Sequence, residues 1–298
     1  IFMHKSYVST FLQYLRFEKR YSPLTHLAYE KNLTDFFTYL LATYGIEEPK
    51  LVKHIHIRSW LASLKEAKQT ATTINRKQSV LRSFFKYALT QEWIQKNPMS
   101  TLRALRTPER IPNFLKDEET AFLFEELSFG EGFKGFNDRL ILELLYQTGM
   151  RRAELLALKE HQIEWSLHHI RVVGKGNKER LIPMSPLLEE LMQQYVEEKK
   201  RLFEHPSPYF FILENGQNLY AGYVYRLVKK HLSAATSLKK KSPHVMRHTF
   251  ATQLLNNGAN LQAIKDLLGH SSLASTQIYT HNHISKLKDI HKKNHPRG

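Results

Sequence analysis

The chain has 298 residues, 42% of them hydrophobic and 11% aromatic, enough apolar material for two ordinary domain cores and too much for a disordered chain. It contains no cysteine, which excludes a disulfide framework, thiol catalysis and cysteine metal sites and fits a cytoplasmic setting. Lys and Arg number 44 against 28 Asp and Glu, a net charge of +16, so a polyanionic partner is expected, nucleic acid ahead of an anionic membrane.

The excess is uneven. Residues 1–107 hold 17 Lys and Arg against 7 Asp and Glu, and the remainder holds 27 against 21. No apolar run approaches the roughly 18–20 residues that span a bilayer. The opening "IFMHKSYVSTFLQYLRF" lacks a signal-peptide layout, and Met3 is the expected start, preceded by Ile1 and Phe2.

The N-terminal third reads as helices. In "YSPLTHLAYEKNLTDFFTYLLATYG" Ser22 is placed to cap, Pro23 suits the first helical position and Gly45 stops the run. Leu27, Leu33, Phe36, Phe37 and Leu40 are its expected apolar stripe. A second amphipathic helix, "TATTINRKQSVLRSFFKYALTQEWI", buries Ile74, Leu81, Phe84, Phe85 and Ala88 and spreads Arg76, Lys77, Arg82 and Lys86 around the rest of its surface. Those four cations are candidate DNA contacts, or simply a solvated face. Pro98, Pro108 and Pro112 then break all periodicity, which places a linker near residues 105–113 between domains at 1–104 and 114–298.

The second domain is mixed. "KGFNDRLILELLYQTG" reads as a helix ending at Gly149, and "HIRVVGKGNKERLIPM" as strand, Gly-rich turn and strand. Helices are expected at about 186–203, 221–234, 243–257, 261–268 and 272–280, with Gly258 and Gly269 at C-cap positions.

Candidate chemistry is scattered over these elements. Arg151 follows a Gly turn at a helix start, where a cation opposes the helix dipole. Lys175 sits at the hairpin tip. His244 and Arg247 share one side of a helix that opens after Pro243, with His248 one position further. His270 follows a C-cap glycine and Tyr279 comes nine residues later. A zinc peptidase would need glutamate where Val245 stands, and two-metal phosphoryl transfer needs clustered carboxylates, whereas the basic motifs hold only Glu154 and Glu179. No metal and no cofactor is expected. Cations with one phenol suit metal-free attack on a phosphodiester: arginines hold the non-bridging oxygens, a lysine or histidine protonates the leaving oxygen, and a tyrosine serves as nucleophile.

"GKGNKER", "PHVMRHTFATQLL", "LLGHSSLASTQIYTH" and the ending "HPRG" together make the chain resemble, over essentially its whole length, the tyrosine recombinases of the phage integrase family, most closely the Xer-type chromosome-dimer recombinases. The resemblance implies a mainly α fold with a small β-sheet: a helical, SAM-like core-binding domain and a mixed α/β catalytic domain with a C-terminal tail helix, the two clamping DNA. It implies a catalytic set of Arg151, Lys175, His244, Arg247, His270 and Tyr279. Arg152 and Ala153 depart from the pattern many Xer proteins show, without replacing Arg151.

The same resemblance implies a 3′-phosphotyrosine intermediate on Tyr279, strand exchange through a Holliday junction, and a tetramer on double-stranded DNA at a dif-like site. The tetramer would form alone or with a second Xer recombinase, and a septal translocase such as FtsK is an implied activator. Alternatives are a mobile-element integrase or transposase with the same chemistry, a type IB topoisomerase and an architectural DNA-binding protein. The helix starting by Ser22 leaves no room for an arm-binding domain, which favours the Xer type. His248 is expected to be structural, Arg180 a strand residue near DNA, and His281, His283, His291 and His295 parts of a solvated basic tail. Ile284, Leu287 and Ile290 form a small apolar face that, by the same resemblance, docks on a neighbouring protomer.

Overall fold

Ser22 and Pro23 start a helix in the structure as well, and the reason is local. The Ser22 hydroxyl accepts from the Thr25 N–H at 3.3 Å, Pro23 supplies the first helical residue, and Gly45, at φ 65°, closes the helix by donating its N–H to the Leu41 carbonyl. The computed structural model describes residues 3–107, 113–174, 179–204, 207–269 and 290–297, and the chain divides into two units, Ile1–Arg110 and Ile111–Gly298.

The first unit contains α1 (Met3–Phe17), α2 (Pro23–Tyr44), α3 (His54–Glu66) and α4 (Ala71–Thr90). Phe11, Phe36, Phe37, Phe84 and Phe85 are fully buried at its centre. Their rings meet edge to face, Phe11 on Phe84 at 5.4 Å and Phe37 on Phe84 at 5.6 Å, with Trp60 on Phe36 at 5.0 Å. Leu27 is not part of this core. It is 61% exposed, because six residues separate it from Leu33, which puts it on another side of the helix.

Three side chains of α4 hold the chain that follows it. The Asn75 amide both donates to and accepts from the Leu105 backbone at 2.8 Å, Gln78 donates to the Arg103 carbonyl at 3.1 Å and Arg82 to the Leu102 carbonyl at 2.9 Å.

In the second unit the described helices are α5 (Asp117–Ala121), continued by a π turn at Phe122–Glu126, α6 (Gly132–Thr148), α7 (Arg152–Ala157), α8 (Pro186–Leu202), α9 (Ala221–Ala235), α10 (Pro243–Asn256) and α11 (Leu261–Leu268). An antiparallel sheet is ordered β1 (Ile163–Glu164), β2 (His169–Val173), β3 (Glu179–Pro183), with Val173 opposite Glu179 as the last described pair of the β2–β3 ladder. No described helix is long and apolar enough to cross a membrane.

Helix α6 is buried on nearly every side and carries polar groups into the interior. The Gln147 amide donates to Glu143 at 2.9 Å and accepts from the Ser185 hydroxyl at 2.7 Å.

The chain end packs against the same helix, and this overturns the expectation of a solvated tail for His291 and His295. Both are buried, their rings lie parallel at 5.0 Å, and the His291 Nε2–H donates to the Gln147 carbonyl at 2.8 Å. Arg297 pairs with Glu143, and Ile290 packs against the Phe250 and Leu254 cluster. Of the apolar face expected to dock on a neighbouring protomer, Ile290 is the described member, and it packs within its own unit. A neutral imidazole has one donor and one acceptor nitrogen; α6 takes the donor of His291, and the Arg297 N–H donates to the acceptor Nδ1 of His295 at 3.1 Å. His281, His283, Ile284 and Leu287 lie outside the described residues.

Candidate active site

Gly149 shapes the entry to the site. It caps α6 at φ 58°, and a Cβ there would stand 2.5 Å from the Phe250 ring and 2.9 Å from the Leu268 side chain. Both the left-handed backbone and the close approach require glycine. The chain turns at this point and sets Arg151 at the N-cap of α7.

The dipole conflict expected of Arg151 is resolved by Glu154. Its carboxylate accepts from the Arg151 backbone N–H at 2.7 Å and from the Arg151 guanidinium at 2.7 Å. It also takes two bonds from Arg180, at 2.9 and 2.8 Å, in the bidentate geometry that suits an arginine and a carboxylate. Burial pushes the Glu154 carboxyl up, but Arg180 and then Arg151 outweigh it and hold the group down at about 2.

Arg180 is a strand residue, as expected, but its side chain is turned inward. It is 3% exposed, on the face of β3 that also buries Ile182, and its Nε–H donates to the Leu267 carbonyl at 2.8 Å. Arg247, from α10, is buried too. It donates to the Gly149 carbonyl and to the Leu268 carbonyl, both at 2.6 Å. Desolvation, followed by the charges of Arg151 and Arg180, lowers its guanidinium to about 10, still protonated at neutral pH.

These contacts share a target. Leu267, Leu268 and Gly269 end α11, and their carbonyls accept in turn from Arg180, Arg247 and Arg151. Helix C-termini carry partial negative charge on unsatisfied carbonyls, so arginines gather there readily. Gly269 is left-handed at φ 62°, and a Cβ on it would press on the Arg180 side chain at 3.0 Å.

His244 lies one helical turn before Arg247, with its side chain in contact with solvent. Desolvation, then the charges of His248, Arg152, Arg247 and Arg151, lower its imidazole below the ordinary value, which favours the neutral form. His248, expected to pack or hydrogen-bond rather than catalyse, is exposed on α10, which leaves no packing role for it.

Of the expected catalytic residues, the structure therefore brings Arg151, His244 and Arg247 together beside the end of α11. Lys175, which falls between β2 and β3 in the chain, and His270 and Tyr279, which follow α11, lie outside the described residues. Two residues of the cluster escaped the sequence reading. Glu154 stood out only as too isolated for a metal site, although an acid three residues after an N-cap is a capping signal. Arg180 shares strand parity with the apolar Ile182, which marks it as inward-facing.

The candidate DNA contacts divide. Arg76, Arg82 and Lys86 are exposed on α4. Lys77 is not among them: it is buried, 3.0 Å from the Asp35 carboxylate and over the Trp60 ring, so its charge is already spent inside the first unit.

Comparison with known proteins matches residues 113–286 to the Phage integrase family and residues 8–92 to the phage integrase N-terminal SAM-like domain. Similar curated proteins include Tyrosine recombinase XerC of Listeria welshimeri, 37% identical with 97% of each chain covered. XerC of Bacillus licheniformis is 35% identical, covering 99% of this chain and 97% of that one. XerC of Chlorobaculum parvum is 32% identical, covering 97% and 94%.

Among solved structures, the XerH site-specific recombinase bound to palindromic difH substrate superposes with a TM-score of 0.70 at 23% identity, over 89% of this chain and 78% of that one. The Tn1549 transposon integrase in complex with transposon right end DNA gives a TM-score of 0.70 at 23% identity, over 95% and 94%. At these identities the likeness speaks for the fold.

Proposed function

The chain belongs to the phage integrase family, the tyrosine recombinases that cleave and rejoin DNA at specific sites, and from that premise we propose that it resolves chromosome dimers at a dif-like site through a 3′-phosphotyrosine intermediate and a Holliday junction. The observation that carries this reading is the convergence of Arg151, Arg247 and His244 beside the last turn of α11, just ahead of the segment that bears His270 and Tyr279.

In this mechanism Arg151 and Arg247 hold the non-bridging oxygens of the scissile phosphate and offset the charge of the pentavalent transition state. The Tyr279 hydroxyl attacks phosphorus. A P–O bond to tyrosine forms, the bond to the 5′-oxygen breaks, and the phosphate stays on Tyr279 as an ester. Lys175 gives a proton to the leaving 5′-oxygen. His244, favoured in its neutral form by desolvation and then by the surrounding cations, is ready to accept one, and His270 hydrogen-bonds the phosphate. The freed 5′-hydroxyl of a partner duplex reverses the step, so rejoining needs no external energy source.

DNA enters as a double-stranded partner of both units, with Arg76, Arg82 and Lys86 contributing phosphate contacts from α4. A tetramer on two duplexes, formed alone or with a second recombinase, and activation by a septal translocase such as FtsK complete the proposal. The XerC names of relatives at 32–37% identity over nearly the whole chain favour the chromosomal role over a mobile-element one.

The test begins with genomic DNA. Covalent protein–DNA adducts are recovered and their junctions sequenced, and a nicked suicide duplex is built on the site found. The wild type is expected to become trapped on this duplex and Tyr279→Phe to form no adduct. Adduct formation by the phenylalanine variant would sink the assignment of the nucleophile, and junctions confined to a mobile element would sink the chromosomal role.

A further inference from the structure

We propose that Arg180 is a positioning residue for the cleavage step, fixing the end of α11 against the phosphate-holding arginines rather than contacting DNA. This rests on the recombinase reading above.

The geometry gives Arg180 two hands. Its terminal nitrogens hold Glu154 bidentately at 2.9 and 2.8 Å, and its Nε–H holds the Leu267 carbonyl at 2.8 Å. Glu154, so held, fixes Arg151 through both its backbone N–H and its guanidinium. One side chain therefore ties three elements to one another: β3, the start of α7, and the last turn of α11.

Burial separates Arg180 from Arg151. The Arg180 side chain is 3% exposed against 36% for Arg151, so Arg151 has a guanidinium edge to offer an incoming phosphate and Arg180 does not. Gly269 confirms how closely the guanidinium is held, since even a methyl group there would sit 3.0–3.4 Å from three Arg180 atoms. The residue after Gly269 is His270, and a shift at Leu267 is passed along the chain to it.

Lysine cannot replace this arrangement. An ammonium is a single point of charge, and it cannot make the planar pair with Glu154 and still reach a separate carbonyl along its own stem. Displacements of about 1 Å in a catalytic constellation cost on the order of 100-fold in rate, and a loss of that order is expected for Arg180→Lys.

Two routes would produce such a loss, and sulfur chemistry separates them. Arg180 also lies on the strand that leads away from Lys175. If it acted through the hairpin, its loss would impair protonation of the leaving oxygen. A suicide duplex with sulfur in place of the 5′-bridging oxygen releases a thiolate, which leaves without an acid. Lys175→Ala should recover on this duplex, and Arg180→Lys should stay slow.

Melting temperature and DNA affinity are measured alongside: Arg180→Lys keeps the buried charge but loses bonds to Glu154 and Leu267, so the first should fall while the second stays near wild type. If that variant does not fold, Arg180→Gln combined with Glu154→Gln removes both buried charges together and is carried through the same pair of duplexes, with the same expectation. Wild-type cleavage rates, or full recovery on the sulfur duplex, would overturn the assignment. Failure of the recombinase reading itself would look different: the wild type would form no adduct on either duplex.

Discussion

The two units differ in how much charge they bury, Lys77 being the charged side chain among the buried residues of the first. The first buries rings: Phe11, Phe36, Phe37, Phe84 and Phe85 fill its centre, while Arg76, Arg82 and Lys86 stand at the surface of α4. The second buries ions: Glu143, Glu154, Arg180, Lys199 and Arg247 all lie inside it. A charge at the surface of an apolar bundle costs the fold little and can meet a phosphate through a screened, sequence-independent attraction. A buried charge is tolerated only when paired, and pairing fixes its place. Lys199 shows the purely architectural use, its ammonium taking Glu160 and the carbonyls of Ser207, Tyr209 and Phe210. The Glu154 cluster shows the other use, where buried pairing fixes a partly exposed Arg151.

The comparison is broken most directly at Glu154. Glu154→Ala leaves Arg180 buried with no carboxylate and Arg247 beside more unbalanced positive charge. The expected cost is roughly 3–5 kcal/mol, read from denaturant unfolding of the second unit. The pH dependence has a definite sign. A carboxyl held at about 2 against an ordinary 4.5 contributes its full stability above the ordinary value and loses it as pH falls from there toward 2. Wild type should therefore weaken over that acid window and Glu154→Ala should show a shallower change. Equal stability of the two proteins at neutral pH would mean that the buried cluster is not what holds this region.

What the sequence could disclose follows the same divide. Surface-to-core periodicity is a local property, so Ser22, Pro23 and Gly45 mark α2, and the stripe of α4 from Ile74 to Ala88 is buried as its spacing requires. Arg151, His244 and Arg247 could be picked out by their motifs. Glu154 and Arg180 each carry a local signal, a capping acid and an inward strand position, but their pairing with each other and with the end of α11 is made across 26 and 87 residues of chain, which no local pattern marks. Leu27 has the apolar character of its stripe but not the helical angle. Lys77 looks like any other cation of a basic helix, and only the tertiary approach of Asp35 and Trp60 takes it inside.

The chain end provides a smaller test of buried ionisable groups. Burial lowers both His291 and His295, and positive charge on His291 and Arg297 lowers His295 further. A histidine depressed in the folded state contributes full stability above its ordinary value near 6.5 and loses it as pH falls below that, at up to about 1.4 kcal/mol per pH unit for each ring. Amides of residues 291–297 should lose hydrogen-exchange protection between about pH 7 and pH 5.5, after correction for intrinsic rates. The Glu154 cluster, which titrates lower, should hold through that window. Protection that stays flat would show that the two rings are protonated in place without penalty.

The smallest effect on stability, and the sharpest on binding, is expected at α4. Arg76→Ala and Lys86→Ala remove exposed charges and should leave the unfolding midpoint unchanged. Each substitution that takes away one phosphate interaction should lower the slope of log affinity against log salt by about 0.9 on duplex DNA, whatever the sequence of the duplex. Lys77→Met is the matched control on the same helix. Its charge is already paired with Asp35 and laid over Trp60, and methionine has a similar unbranched length, so the salt slope should not move. A slope that falls for Lys77→Met as it does for its exposed neighbours would mean that the Asp35 pair opens when DNA binds, and the first unit would then be using an internal charge as the second one does.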